Sequence, residues 1–311
     1  MRATKNSRAA GVLRGVADDL RARRDPAAWA RRLGFALDPW QVDVLTTPKR
    51  RACLNCTRQG GKTEAAALRV LLEAVTKPGA VCLLYSPSLR QSGELFRRVL
   101  GPYRAIEADN PTKRETILTI ELANGSRIIA LPGKESTTRT YTADLVVVDE
   151  AARVPDGVLF ALSPMLAVTG GALVLLSTPR GPFGFFAEAW RNGDPATWHK
   201  VRVTAPMLPG IVLTDPHEPD GVCTRIPIAH LKEERARMPE AVFLSEYYGE
   251  FLAEDHSAFS YAAIDAAMSS DLEPWDFSTD DGREQRDDGQ GDAETVEPVT
   301  AGSEDVEAWN L

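Results

Sequence analysis

Residues 56–63 read Cys56-Thr57-Arg58-Gln59-Gly60-Gly61-Lys62-Thr63. The stretch follows a short apolar run, Ala52-Cys53-Leu54, and opens a helical pattern from Glu64 to Ala74. A strand, a glycine-containing loop and a helix in that order form the setting in which backbone N–H groups cradle anionic oxygens. Paired glycines let the chain turn tightly, and the helix N-terminus behind them adds a positive dipole end. In this reading Gln59, Gly60 and Gly61 shape the cradle. Lys62 reaches the β- and γ-phosphates of ATP, and the Thr63 hydroxyl holds Mg²⁺. Cys56 stands where the pattern G-x-x-x-x-G-K-[ST] has its first glycine, and Gly-Gly-Lys-Thr alone is also compatible with a surface turn.

A second element lies about ninety residues on. Asp144-Leu145-Val146-Val147-Val148-Asp149-Glu150 is a β-branched apolar run ending in two acids, the pattern of a buried parallel strand. Carboxylates at the C-terminal end of such a strand sit at the mouth of the sheet, where α/β proteins bind ligands. Asp149 is placed to hold Mg²⁺ through water, and Glu150 to polarise a water for attack on the γ-phosphate. The plainer alternative is that the two acids cap the following turn.

The 311 residues suffice for one large or two modest domains, and 43% hydrophobic content supports a substantial core. No apolar run approaches membrane-span length and no signal-peptide core opens the chain, so an intracellular, cytoplasmic protein is expected. Cys53 and Cys56 form a C-x-x-C without a second Cys/His pair at metal spacing, which favours small core residues over a metal or redox site. The net charge of −8 hides a polarity. From Leu252 onward there are 17 acids and 2 arginines, whereas residues 1–251 carry 34 bases and 27 acids, a net of +7. A basic body suits a polyanionic partner.

Residues 1–34 are Arg/Ala-rich and helical in pattern, a phosphate-contacting arm or a solvated helical face. Further buried strands are expected at Ala80–Pro87 and Ala172–Ser177, with an outer strand at Trp198–Val203. Ile117–Leu122 and Arg127–Leu131 flank an Asn124-Gly125 hairpin signal. Helices are expected at Leu89–Leu100, Asp156–Ala167, Phe183–Arg191, Ile228–Arg237 and Glu240–Tyr248, and a polar, mobile loop at Gly133–Tyr141. The alternation predicts an α/β fold, a doubly wound, largely parallel sheet covered on both faces. The expected organisation is a basic helical segment over 1–34, an ATPase domain over 35–251 with a small helical lid near 225–251, a connector over 252–275 and a disordered acidic tail over 276–311.

These features in this order resemble a family: the ATPase half of the large subunit of viral (phage) terminases, motors that package double-stranded DNA into procapsids. The resemblance runs from about Pro39 to Phe251. It rests on Pro39-Trp40-Gln41, on Arg58-Gln59-Gly60-Gly61-Lys62-Thr63 with its Arg-Gln pair, on Asp149-Glu150-Ala151, on Ser177-Thr178-Pro179-Arg180-Gly181, and on Glu246-Tyr247-Tyr248-Gly249-Glu250-Phe251. It implies a P-loop NTPase sheet of RecA-like (ASCE) type, with the extra strand between the phosphate-loop and catalytic strands. It further implies that Gln41 reads the adenine edge through its amide, that Arg58 acts as an arginine finger in cis, and that Ser177 and Thr178 couple γ-phosphate loss to movement, a plain strand exit being the alternative for those two. Arg139 is implied as a finger for a neighbouring subunit, or is an ordinary loop arginine.

The implied partners are double-stranded DNA gripped through its phosphates without sequence specificity, a portal protein, a terminase small subunit, and further copies in a ring. Terminase large subunits usually continue into an RNase H-type nuclease. Phe259–Asp265 looks like the connector to it, but the acids over 271–307 lie on no strand pattern, so no nuclease activity is expected from this chain. Two rivals remain: a helicase-type nucleic-acid translocase, which would need a second RecA-like domain, and a decayed prophage protein acting as a non-hydrolysing binding or scaffold module.

Overall fold

The computed structural model describes residues 20–131, 141–215 and 218–252. The expectations for residues 1–19, the 132–140 loop with Arg139, the connector beyond Leu252 and the acidic tail lie outside the described residues. In chain order the elements are α1 (Pro26–Arg32), α2 (Pro39–Thr46), β1 (Arg51–Cys56), α3 (Lys62–Thr76), β2 (Val81–Tyr85), α4 (Leu89–Arg104), β3 (Thr112–Glu115), β4 (Thr119–Leu122), β5 (Arg127–Ala130), β6 (Leu145–Asp149), α5 (Asp156–Ala167), β7 (Ala172–Ser177), α6 (Phe185–Asn192), β8 (Trp198–Val203), β9 (Ile211–Asp215), β10 (Glu218–Gly221), α7 (Ile228–Arg237) and α8 (Glu240–Tyr248).

The main sheet has the order β3-β4-β5-β2-β6-β7-β1-β8. The strands from β5 to β8 in that order pair in parallel, while β3 and β4 join antiparallel at one edge. β7 separates β1 from β6, so one strand stands between the end of the glycine loop's strand and the Asp149 strand. The strands are buried on both faces, which is why they read as continuous apolar runs rather than alternating ones. Alternation reappears in the packing. Leu54, Leu84, Val147 and Leu176 face a core layer shared with α2, α3 and α4, and Cys53, Leu83, Val146 and Leu175 face the layer under α5 and α6.

That geometry explains the two cysteines. Three residues apart on a strand, Cys53 and Cys56 point to opposite faces, and burial pushes the Cys56 thiol up to about 12 and Cys53 higher still. They are core residues.

The hairpin signal at Asn124-Gly125 is realised as β4–β5, with Gly125 at φ +84°. Asn124 Nδ2 donates to the carbonyl of Ala74 at 2.9 Å, tying the turn to the end of α3. Three strands lie beyond the sequence reading. β3 has the sequence Thr-Lys-Arg-Glu and an exposed pattern, so no apolar periodicity marks it. The β9–β10 hairpin is short, with a register shift at Glu218/Pro219. The helix expected from Phe183 begins at Phe185, because Gly184 takes φ +86° and leaves Phe185 N to the Asp156 carboxylate.

α7 and α8 sit over the C-terminal edge of the sheet, and Phe243, Tyr247 and Tyr248 of α8 enter the core layer of α3. α8 is pinned at its end. Gly249 adopts φ +68°, and Asn55, fully buried on β1, donates Nδ2 to the Gly249 carbonyl at 2.7 Å. A Cβ at 249 would meet Asn55 Oδ1 at 2.9 Å, in addition to the left-handed backbone. Gly249→Ala is therefore expected to lower unfolding free energy by about 1–3 kcal/mol. A denaturant midpoint equal to that of the parent chain would show that this clamp bears no weight.

Candidate functional site

The loop after β1 is held on three sides. Thr57 N donates to Val203 O of β8 at 2.8 Å, Arg58 N donates to Glu246 O of α8 at 3.2 Å, and Gly60 N donates back to Thr57 O at 3.3 Å. Gln59 has φ +53° and Gly61 φ +94°, either side of Gly60. Alternating left- and right-handed residues turn successive N–H groups to one side, forming an anion nest that leads into the first turn of α3. Its carbonyls turn the other way: Gly61 O accepts from Gln41 Nε2 at 3.1 Å and Gly60 O from Arg225 Nη1 at 3.1 Å.

Among the described residues, positive φ at non-glycine positions occurs at Gln59 and at Glu150 (φ +51°). Such backbone costs of order 1 kcal/mol or more and persists where the surroundings enforce it. Both residues lie here. Glu150 follows β6 directly, and its N–H donates to the Asp149 carboxylate at 2.9 Å.

Around Glu150 runs a chain of alternating charges. Lys62 Nζ is 3.4 Å from Glu150 Oε1. Arg153 Nη1 donates to Glu150 Oε2 at 2.6 Å and to Thr178 Oγ1 at 3.3 Å. Arg153 Nη2 reaches Glu246 Oε1 at 3.2 Å, and Arg58 Nε reaches Glu246 Oε2 at 2.7 Å. Burial alone would raise Glu246, but the hydrogen bond and charge of Arg58 and the charge of Arg153 outweigh it and hold its carboxyl below the usual range. The Glu246 hydrogen bond raises Arg58 in turn. The Arg58 side chain remains 57% exposed, so its pairing is free to exchange.

These groups line a cleft of about 580 Å³. Arg58, Gln59, Lys62, Glu150, Arg153 and Thr178 form one wall, and Ile226, His230, Glu234, Arg237 and Tyr247 the other, with Gln91 at the rim. A depression of comparable size among Arg23, Arg24, Arg69, Glu73 and Lys77 has no such loop, and its Lys77 is spent on Asp144.

Asp149 ends β6, directly before Glu150. Part of the residue reaches the surface, yet protein surrounds its carboxyl, and this burial raises it to about 6 against the opposing pull of Lys62. A desolvated carboxylate beside a phosphate cradle is a fitting partner for a divalent cation, with the Thr63 hydroxyl on the first turn of α3 as the second protein group. No group of three or more His, Cys, Asp or Glu suited to a metal occurs among the described residues, so a metal here would draw its other ligands from phosphate and water. Ser177, at the end of β7 between the two halves, is fully buried, and its Oγ has no hydrogen-bond partner.

The structure thus brings together Arg58, Gln59, Gly60, Gly61, Lys62, Glu150 and Thr178 around one cleft. Gln41, expected at the adenine edge, is fully buried: its Oε1 accepts from Asp38 N at 2.9 Å and its Nε2 donates to Gly61 O at 3.1 Å. Arg153 and Arg225 went unread in the sequence. Arg153 follows the two acids by three residues, the spacing of neighbours on one helical turn, and that was the available signal.

Comparison with known proteins agrees with the fold. Residues 53–266 match the family described as terminase large subunit, T4likevirus-type, N-terminal. The terminase large subunit of Thermus phage G20c is 28% identical over 244 residues, covering 69% of this chain and 48% of that protein. That of Thermus virus P23-45 is 29% identical over 241 residues with the same shares. The chain therefore spans about half the length of these relatives. The large terminase ATPase domain of Thermus phage P74-26 superimposes with a TM-score of 0.59 at 21% identity, over 72% of this chain and 97% of that one. The HK97 bacteriophage large terminase gives 0.55 at 18%, over 70% and 51%. At these identities the two structures speak to fold.

Asp149 makes a pH prediction. Its folded value of about 6 lies above the ordinary 3.8, so the cost of ionising it is absent below about pH 4 and grows as pH rises through 6. Asp149→Asn should therefore stabilise the ligand-free protein at pH 8 by at most about 3 kcal/mol, with the gain shrinking toward pH 4. Melting temperatures of both proteins across that range test it; a gain independent of pH would place the carboxyl in a solvated setting.

Proposed function

The chain belongs to the terminase large-subunit family, its match covering more than half of the sequence, and on that premise we propose that it is an ATP-hydrolysing motor unit that drives double-stranded DNA into viral procapsids. The observation that carries the reading is the glycine nest opening α3 directly across from Asp149 and Glu150, with Lys62 at 3.4 Å from Glu150.

ATP enters with its phosphates on the nest formed by Gln59–Thr63. Lys62 turns from Glu150 to the β- and γ-phosphate oxygens, which releases one Glu150 oxygen toward the cleft. Thr63 and Asp149 would hold Mg²⁺, whose chemistry there is to offset the charge of the phosphate oxygens. Arg153 keeps the other Glu150 oxygen, fixing the carboxylate as it takes a proton from the attacking water. The water oxygen bonds to the γ-phosphorus as the bond to the ADP oxygen breaks. Arg58, exposed and paired with Glu246, is within the loop and can exchange that partner for the γ-phosphate as a finger in cis.

Ser177 and Thr178 stand where loss of the γ-phosphate is sensed: one has an unpartnered buried hydroxyl and the other contacts Arg153. Arg153 and Arg58 both end on Glu246 of α8, so rearrangement at the phosphate is felt by the 225–251 segment, which serves as a lid. Arg139 remains the proposed finger for a neighbouring copy in a ring. DNA phosphates, a portal protein and a small subunit are the proposed partners. DNA affinity is then expected to be salt-dependent and indifferent to sequence.

Two substitutions test the chemistry. Lys62→Ala should abolish nucleotide binding, whereas Glu150→Gln should bind ATP normally and lose turnover by a factor of about 10² or more. Steady-state phosphate release within twofold of the parent for Glu150→Gln would remove it from the reaction.

Arg58→Ala should lower turnover about a thousandfold with little change in nucleotide affinity. Mixing it with Lys62→Ala chains should restore nothing if the finger works in cis. Recovery in the mixture would show that Arg58 of one chain serves a neighbour's nucleotide in trans, whereas full turnover by Arg58→Ala on its own would pass the role to another arginine, Arg139 first.

A further inference from the structure

An anion nest works when its carbonyls are kept turned away from the ligand, and glycines alone do not ensure that, because they resist no rotation. Here both glycine carbonyls are held from outside. Gly61 O takes Nε2 of Gln41, from α2, and Gly60 O takes Nη1 of Arg225, from the segment ahead of α7. The two braces share a post. Asp38 caps α2, its backbone N–H bonds Gln41 Oε1, and its carboxylate accepts from both Trp40 Nε1 and Arg225 Nη1.

Because Gln41 Oε1 is spent on Asp38 N, its NH₂ is the end that faces the loop. The fit is close: a Cβ at Gly61 would lie 2.8 Å from Gln41 Nε2 and 3.6 Å from Arg225 Nη1. A guanidinium on the Gly60 carbonyl also polarises the Gly60–Gly61 peptide and makes the Gly61 N–H a stronger donor toward phosphate.

We infer that Gln41 and Arg225 are positioning residues for the phosphate loop, bracing the Gly61 and Gly60 carbonyls so that the amides stay turned to the nucleotide's phosphates. The inference rests on the ATPase reading of this loop and deepens it. Its consequence is chemical. A brace on the backbone acts on the triphosphate, which every nucleoside triphosphate shares, whereas a glutamine on the base edge would act on adenine alone.

The test uses the full chain with Arg225→Met, Arg225→Lys and Gln41→Met, measuring KM and kcat for ATP and GTP and the inhibition constant of inorganic tripolyphosphate. The expected result is a rise of about tenfold in the constants of all three ligands for Arg225→Met and Gln41→Met, with kcat within about threefold. Arg225→Lys, which keeps a cationic donor, should recover most of the loss. Arg225 is partly exposed, so its variants report even where Gln41→Met does not fold. Unchanged constants in Arg225→Met overturn the inference, as does a Gln41→Met effect confined to ATP. A parent chain that binds none of the three ligands would instead sink the ATPase reading itself.

Discussion

The site depends on one strand lying between two others. β7 pairs in parallel with β1 on one side and β6 on the other, so Asn55 stands opposite Ser177 and Asp149 opposite Leu176. Two inter-strand steps separate the glycine loop from the acids, roughly 10 Å. That gap is one a lysine can bridge, as Lys62 does to Glu150, and one that phosphates with a cation can fill. Backbone hydrogen bonds set the distance, so it is stiff. A phosphate loop on a neighbouring strand would crowd the acids, and one strand further would leave them out of reach.

Charge then decides what the gap wants. Burial raises the Asp149 carboxyl, and the charge of Lys62 and the Glu150 N–H oppose that burial. Glu150 is paired on both sides, and Glu246 is shared between two arginines. None of these pairs is deep enough for its own energy to matter greatly to the fold. Their weight lies in geometry: each cation that the proposed mechanism turns to phosphate is held at a known place by a carboxylate. Among the described residues, the two non-glycine positions with positive φ fall at the two ends of this arrangement, where backbone strain is tolerated for the sake of where Gln59 and Glu150 point.

Much of this was legible in the sequence, for a physical reason. Buried parallel strands must be apolar throughout and must end where the chemistry is, so Val146-Val147-Val148 followed by Asp149-Glu150 announces both strand and site. The Gly-Gly turn is equally local. What stayed hidden is long-range or weakly patterned. Arg58 and Glu246 are 188 residues apart, and Arg225 and Gly60 are 165 apart, and no periodicity links such pairs. β3 is exposed and charged, so nothing apolar marks it. Gln41 shows a subtler limit. A glutamine amide serves a base edge and a backbone carbonyl equally well, and its sequence position does not show that its Oε1 bonds Asp38 N and its Nε2 bonds Gly61 O.

The capping of α2 by Asp38 also bears on how the proposed hydrolysis would reach the rest of the molecule. One wall of the cleft belongs to the sheet side, and the other comes from the 225–251 segment through Ile226, His230, Glu234, Arg237 and Tyr247. The segment touches the loop at two separated points, Arg225 on Gly60 and Glu246 on Arg58, and is anchored to β1 at a third through Asn55 and Gly249. Asn55 is a buried neutral contact that phosphate chemistry leaves alone, whereas the Glu246 pairing is electrostatic and competes directly with a phosphate. A body fixed at one contact and released at another rotates about the first. In the proposed cycle, exchange of the Arg58 side chain from Glu246 to phosphate would leave Glu246 on Arg153 and on the Arg58 backbone N–H while the C-terminal end of α8 stays on β1, so an event at the γ-phosphate would act on the wall opposite it through the Glu246 contact.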